Sequence, residues 1–109
     1  MPINKTLSSG SISMMLLKLI SEEDMYGYQM IDTLRQRSQN VFDMKAGTLY
    51  PLLHELVAKG YVTTYEREAN GKTRIYYSIT RSGKNQLLEK RKEWETFSQA
   101  VNNVLMQGG

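Results

Sequence analysis

Apolar residues recur along this chain at the helical period in several stretches and alternate at the strand period near its middle. From about Ser11 to Ser21, Ile12, Leu16, Leu19 and Ile20 share one helical face, while Met14, Met15 and Leu17 add apolar side chains on another. One small core cannot easily use both faces, so the second predicts a meeting with another subunit. Burial on most sides within its own domain is the alternative. Residues Met1 to Ser9 are polar and aperiodic and predict a loose arm. SEEDMYGYQ then reads as a turn with Asp24 or a neighbour as cap, followed by a helix from roughly Tyr26 to Gln39 whose inner stripe is Tyr26, Met30, Ile31 and Leu34.

The stretch MKAGTLYPLLHELVAKGYVTTY, Met44 to Tyr65, sets out a third helix. Leu49, Leu52, Leu53, Leu56 and Val57 form its core stripe. Pro51 fits at little cost if that helix begins at Gly47 or Thr48, because the first turn has backbone N–H groups without internal partners. Lys59 and Gly60 end it. Tyr61 to Glu66 and Thr73 to Ile79 are rich in β-branched and aromatic residues, and Asn70-Gly71 between them is a strong hairpin dipeptide. Thr80 caps a last helix from Arg81 toward Met106, with Gly83 an early weak point. Leu87, Trp94, Phe97, Val101 and Val104, at spacings of 7, 3, 4 and 3, form a seam interrupted by Lys90. The first three helices and the hairpin leave little surface to receive that seam, which predicts a homodimer joined through it; the alternative folds this helix back on its own domain, with Trp94 as core.

Composition narrows the function classes. A chain of 109 residues with 40% hydrophobic residues forms a single small domain. It has no cysteine and a single histidine, which excludes disulfides, thiol catalysis and multi-histidine metal sites. No catalytic cluster, metal or cofactor is expected. No run approaches the roughly 18 apolar residues of a membrane span, and MPINKTLSSG lacks the apolar centre of a signal peptide, so a cytoplasmic protein is expected. The net charge is only +3. Its distribution is uneven: Lys45, Lys59, Arg67, Lys72, Arg74, Arg81 and Lys84 gather around the third helix and hairpin.

Three helices, the third with an exposed polar face, then a hairpin with a basic tip, is the order of a winged helix-turn-helix. Such a module places its third helix in the major groove and its hairpin, the wing, at phosphate or minor groove. In this chain Tyr28, Gln29, Gly47, Thr48, Tyr50 and Pro51 are candidates for phosphate and backbone contact, and Lys45 and His54 for base edges. Lys72, Thr73 and Arg74 are candidates for the flank of the hairpin. Blander roles stand beside these: core or interface positions for Tyr28, Tyr76 and Tyr77, an Arg74 pair with Glu66, a merely solvated His54. A winged helix that binds protein and never DNA is the alternative function.

The MYGYQ segment, AGTLYPLLHELVAKGYV and the exit GKTRIYYSIT with TRSGK together resemble the PadR-like family of bacterial transcriptional regulators, in particular its short members with one C-terminal helix. The resemblance covers roughly Ile12 to Trp94. It implies a mainly α fold with a small β-hairpin, a DNA-binding domain over residues 1–80 and a dimerisation helix over 81–109. It further implies a homodimeric repressor on a palindromic double-stranded operator, with the last helix on the partner's first helix. The expected interface is Met14, Leu17, Leu87, Trp94, Phe97, Val101 and Val104. Trp94 looks like the tryptophan with which multidrug-sensing members stack planar aromatic effectors, with Met14, Leu17 and Phe97 as neighbours.

Overall fold

The computed structural model describes residues 5–107. The elements follow in the order α1 (Lys5–Glu22), β1 (Met25–Tyr26), α2 (Gly27–Arg37), α3 (Ala46–Ala58), β2 (Val62–Ala69), β3 (Lys72–Ile79) and α4 (Arg81–Met106). Of the arm expected over residues 1–9, residues 1–4 lie outside the described part, and from Lys5 onward the backbone is already helical.

The core gathers at α1. Leu16, Leu17, Leu19 and Ile20 of α1 pack with Met30, Ile31 and Leu34 of α2, Leu49, Leu53 and Leu56 of α3, and Val62 and Tyr77 of the sheet. Each such side chain contributes about 1.5–3 kcal/mol on burial. Because α2, α3, β3 and α4 all touch α1, that helix is enclosed on most sides by its own chain. This corrects the expectation for Leu17, which is 0% exposed and presents nothing to a second copy. Met14 and Met15 remain half-buried at its edge. Leu87 is corrected likewise: at 7% exposed it closes the α4 side of the same core.

Between α1 and α2 the structure departs from the sequence reading. Asp24 does not cap α2; its carboxylate accepts a 2.7 Å hydrogen bond from the Tyr65 hydroxyl. Tyr26 does not join the helical stripe but lies in β1, which pairs antiparallel with β3 through Met25↔Tyr77 and Tyr26↔Tyr76. The sheet order is therefore β1-β3-β2. Helix α2 begins at Gly27 with Tyr26 as its extended N-cap and no side-chain cap.

Helix α3 begins at Ala46, so Pro51 sits beyond the first turn and inside the helix. The Gly47 carbonyl thereby loses its i+4 donor. Both residues lie on the exposed face, where water can serve that carbonyl. Val57, which its spacing puts in the core stripe, is exposed, whereas Leu56 beside it in the same last turn is buried. The helix stops as expected: Gly60 has φ 79°, Tyr61 N–H donates to Leu56 C=O and Gly60 N–H to Val57 C=O. This is the paired bonding of a Schellman ending.

Strands β2 and β3 register from Val62↔Ile79 to Ala69↔Lys72. Asn70 and Gly71 both have positive φ, 52° and 77°, as a two-residue type I′ turn requires. Thr80 caps α4 by accepting from Gly83 N–H at 3.0 Å, and its own hydroxyl donates to Gly60 C=O at 2.7 Å. Gly83 proves to be a packing requirement: a Cβ there would lie 2.1 Å from the Tyr61 carbonyl oxygen. Beyond Leu87, α4 keeps Trp94, Phe97, Val101 and Val104 exposed.

Candidate nucleic-acid interface

An open groove of about 440 Å³ runs between the start of α2, the outer face of α3 and strand β3. β1 pairs only with Tyr76 and Tyr77, so the Lys72 to Ile75 part of β3 has no strand on that side and forms the groove's far wall. Six of the sequence-predicted residues meet here: Tyr28, Tyr50, His54, Lys72, Thr73 and Arg74. Tyr26, Gly27, Ile75 and Tyr77 also line it and were not among the expected residues. Strand alternation places Ile75 and Tyr77 on one face with Thr73, a signal present in the sequence. Gly27 and Tyr26 depend on β1, which had no sequence signal of its own.

The other expected residues stand outside the groove. Lys45 is the exposed N-cap of α3, and Gly47, Thr48 and Pro51 follow it on the exposed side of the helix. Gln29 is half-buried on α2.

Two helix starts near this surface lack side-chain caps and acidic residues in their first turns. Their leading N–H groups are thus available to an anion, and the helix dipole favours one. Tyr28 is 59% exposed at the α2 start. Tyr50 packs its ring against the Gly27 backbone, and burial, with Tyr28 nearby, pushes its hydroxyl above the ordinary tyrosine range. It stays a neutral donor. Tyr77, deeper, is raised by burial, with Tyr50 as the lesser cause.

The cations of this surface carry no counter-charge among the described residues. Among the described residues, Lys45, Lys72 and Arg74 form no ion pair, whereas Lys59 is bound to Glu55 at 2.7 Å and Arg37 to Glu22. The Arg74 pairing with Glu66 does not occur, because Glu66 registers with Ile75. The Arg74 guanidinium lies 4.3 Å from the Tyr26 ring centroid, and its Nε is buried without a hydrogen-bond partner. His54 is exposed and makes no side-chain hydrogen bond among the described residues. Tyr76 and Tyr77 are buried, as the blander reading had them. Among the described residues no group of His, Cys, Asp and Glu could hold a metal, and no helix is long and apolar enough to cross a membrane.

A mainly helical chain with a three-stranded antiparallel wing defines a winged-helix regulator. The sequence profile of the PadR-like transcriptional regulator family matches residues 16–89, and the chain belongs to that family, whose members are regulators and not enzymes. A transcriptional regulator from Clostridium thermocellum superposes with a TM-score of 0.84 at 30% identity, over 91% of this chain and 97% of that one. A PadR-like transcriptional regulator from Bacillus cereus gives 0.83 at 30% identity, over 96% and 100%. Transcriptional regulator YqjI of Escherichia coli is 27% identical over 84% of this chain, which spans only 43% of its length.

Proposed function

We propose that this chain is a homodimeric repressor that binds a palindromic operator through two copies of the α3 and wing surface. The observation that carries the reading is the groove in which an uncapped helix start, the polar face of α3 and the free edge of β3 converge with unpaired Lys72 and Arg74. A phosphodiester strand fits this chemistry: the α2 amides, Tyr28 and the Tyr50 hydroxyl hydrogen-bond its oxygens while Lys72 and Arg74 neutralise it. Lys45, Gly47, Thr48, Pro51 and His54 on α3 then face the major groove, with His54 and Lys45 at base edges.

The exposed row Trp94, Phe97, Val101 and Val104 supports the dimer, since a soluble helix rarely leaves such a stripe bare. Two modules so joined would meet half-sites one duplex turn, about 34–36 Å, or a multiple of it apart. Trp94 and Phe97 lie 6.2 Å apart, 47% and 52% exposed, and with Met14 offer flat and adaptable apolar surface to a planar aromatic effector. Such a ligand acts by favouring one arrangement of the two modules over the other.

A mobility-shift titration with the gene's own upstream duplex tests the reading. Retardation that steepens as salt falls is expected, and replacing Lys72 and Arg74 with alanine should weaken it on every sequence. Absence of any salt-sensitive retardation would favour a protein-binding module.

A further inference from the structure

His54 is the single imidazole of the chain, and it stands exposed on the outer face of α3 within the groove. Among the side chains, an ordinary imidazole is the one that changes charge between pH 5 and 8. The cations and hydroxyls around it keep their charge over that range. His54 is therefore the one side chain through which the groove can respond to pH near neutrality.

The free groove offers an imidazolium no acidic partner. His54 shares it with Tyr26 and Tyr28 from β1 and α2, Tyr50 on its own helix, and Lys72, Arg74 and Tyr77 from β3. Tyrosines are neutral near pH 7, and burial pushes the Tyr50 and Tyr77 hydroxyls further up. Among the described residues no carboxylate lines the groove. Glu55, the next residue on α3, is bound to Lys59 at 2.7 Å, and Lys90 of α4 lies near enough to act on the same carboxylate.

A bound duplex reverses that environment. It brings phosphates against α3, and a negative charge within about 4–6 Å favours the charged form of a base. Protonation also changes what the ring can hold. A neutral imidazole donates from one nitrogen and accepts at the other, whereas an imidazolium donates from both. With two donors on opposite sides, the ring can bridge a base-edge acceptor such as guanine N7 or O6 and a phosphate oxygen, which are both acceptors only.

We infer that His54 takes up a proton when the operator binds, so that operator affinity rises as pH falls through the neutral range. This rests on the DNA-binding reading above and adds a second ligand, the proton, to the same surface. The bound state holds more protons than the free state, so acid favours binding and alkali favours release. In a dimer the two rings add.

Mobility shifts with one duplex at fixed salt, between about pH 6 and about pH 8, test this for the unaltered chain, His54→Gln, His54→Arg and Lys72→Ala. If binding raises an imidazole from its ordinary value of about 6.5 by about one, affinity gains roughly sixfold per module across that range. The unaltered chain is expected to show this gain. His54→Gln, always neutral, and His54→Arg, always charged, should both be flat. Lys72→Ala should bind more weakly at every pH and keep the dependence. Calorimetry in buffers of different ionisation heat should find proton uptake by the unaltered chain and none by His54→Gln. Binding by the unaltered chain that is flat in pH overturns this inference and leaves the DNA-binding reading standing. A pH dependence that survives in His54→Gln places the proton elsewhere and overturns it too. If the unaltered chain retards no duplex at any pH, the reading and the inference fall together.

Discussion

The Tyr50 hydroxyl stands over Gly27 so closely that a Cβ at that position would lie 2.4 Å from its oxygen. This contact joins α3 to the start of α2, and both residues line the groove. Gly27→Ala should push the Tyr50 ring aside, cost about 1–3 kcal/mol and weaken DNA binding. Urea unfolding and mobility shifts check the two effects. The same substitution in a Tyr50→Ala background should cost much less, because the clashing ring is gone.

Gly83 allows an opposed pair of expectations to be decided. Helix propensity alone favours Gly83→Ala by about 1 kcal/mol. The Tyr61 carbonyl, 2.1 Å from the added Cβ, is backbone and cannot swing away. The substitution should therefore destabilise, by about 1–3 kcal/mol, read as a lower denaturant midpoint at unchanged slope.

Acid stability should report on Glu22. Hydrogen bonds from Arg37 and then Lys18 lower its carboxyl from 4.5 to about 2. A carboxyl depressed on folding adds stability above its unfolded value and loses it as pH falls. The loss should run from about pH 4.5 down to about 2, and Glu22→Gln should flatten the unfolding temperature across that window. All three groups are solvent-exposed, so the effect is small and salt-sensitive.

If α4 joins two copies, replacing Val101 and Val104 together with glutamate should halve the particle mass in sedimentation equilibrium and reduce operator affinity. Both residues are exposed within the single chain, so its own unfolding should change little. For the effector, quenching of Trp94 fluorescence by a panel of planar aromatics is the expected signal, and Phe97→Ala should weaken it.

The helices and hairpin were legible because each is specified locally. Leucine spacing places α3, and Asn70-Gly71 sets the turn and hence the register that puts Arg67 opposite Arg74. What escaped was set by other parts of the fold. β1 is two residues long, too short for any period, and exists only because β3 supplies its partner. Without that partner in view, the sequence pattern joins Tyr26 and Asp24 to α2. Leu17 and Leu87 carry the spacing of surface seams, but α1 is surrounded by other elements and draws both inward. The groove was legible in the six side chains that form much of its rim, while its tyrosine and glycine floor depended on β1.

The short pairing of Met25 with Tyr77 ties together chain positions between which α2, α3 and β2 all lie. The hairpin can zip from its own turn, but its tilt is settled only once both intervening helices have docked inside the loop that this pairing closes. The direction of the wing therefore depends on how α2 and α3 dock. Loosening at α2 or α3 would thus be felt at the wing's cations, Lys72 and Arg74, as well as in the helices themselves.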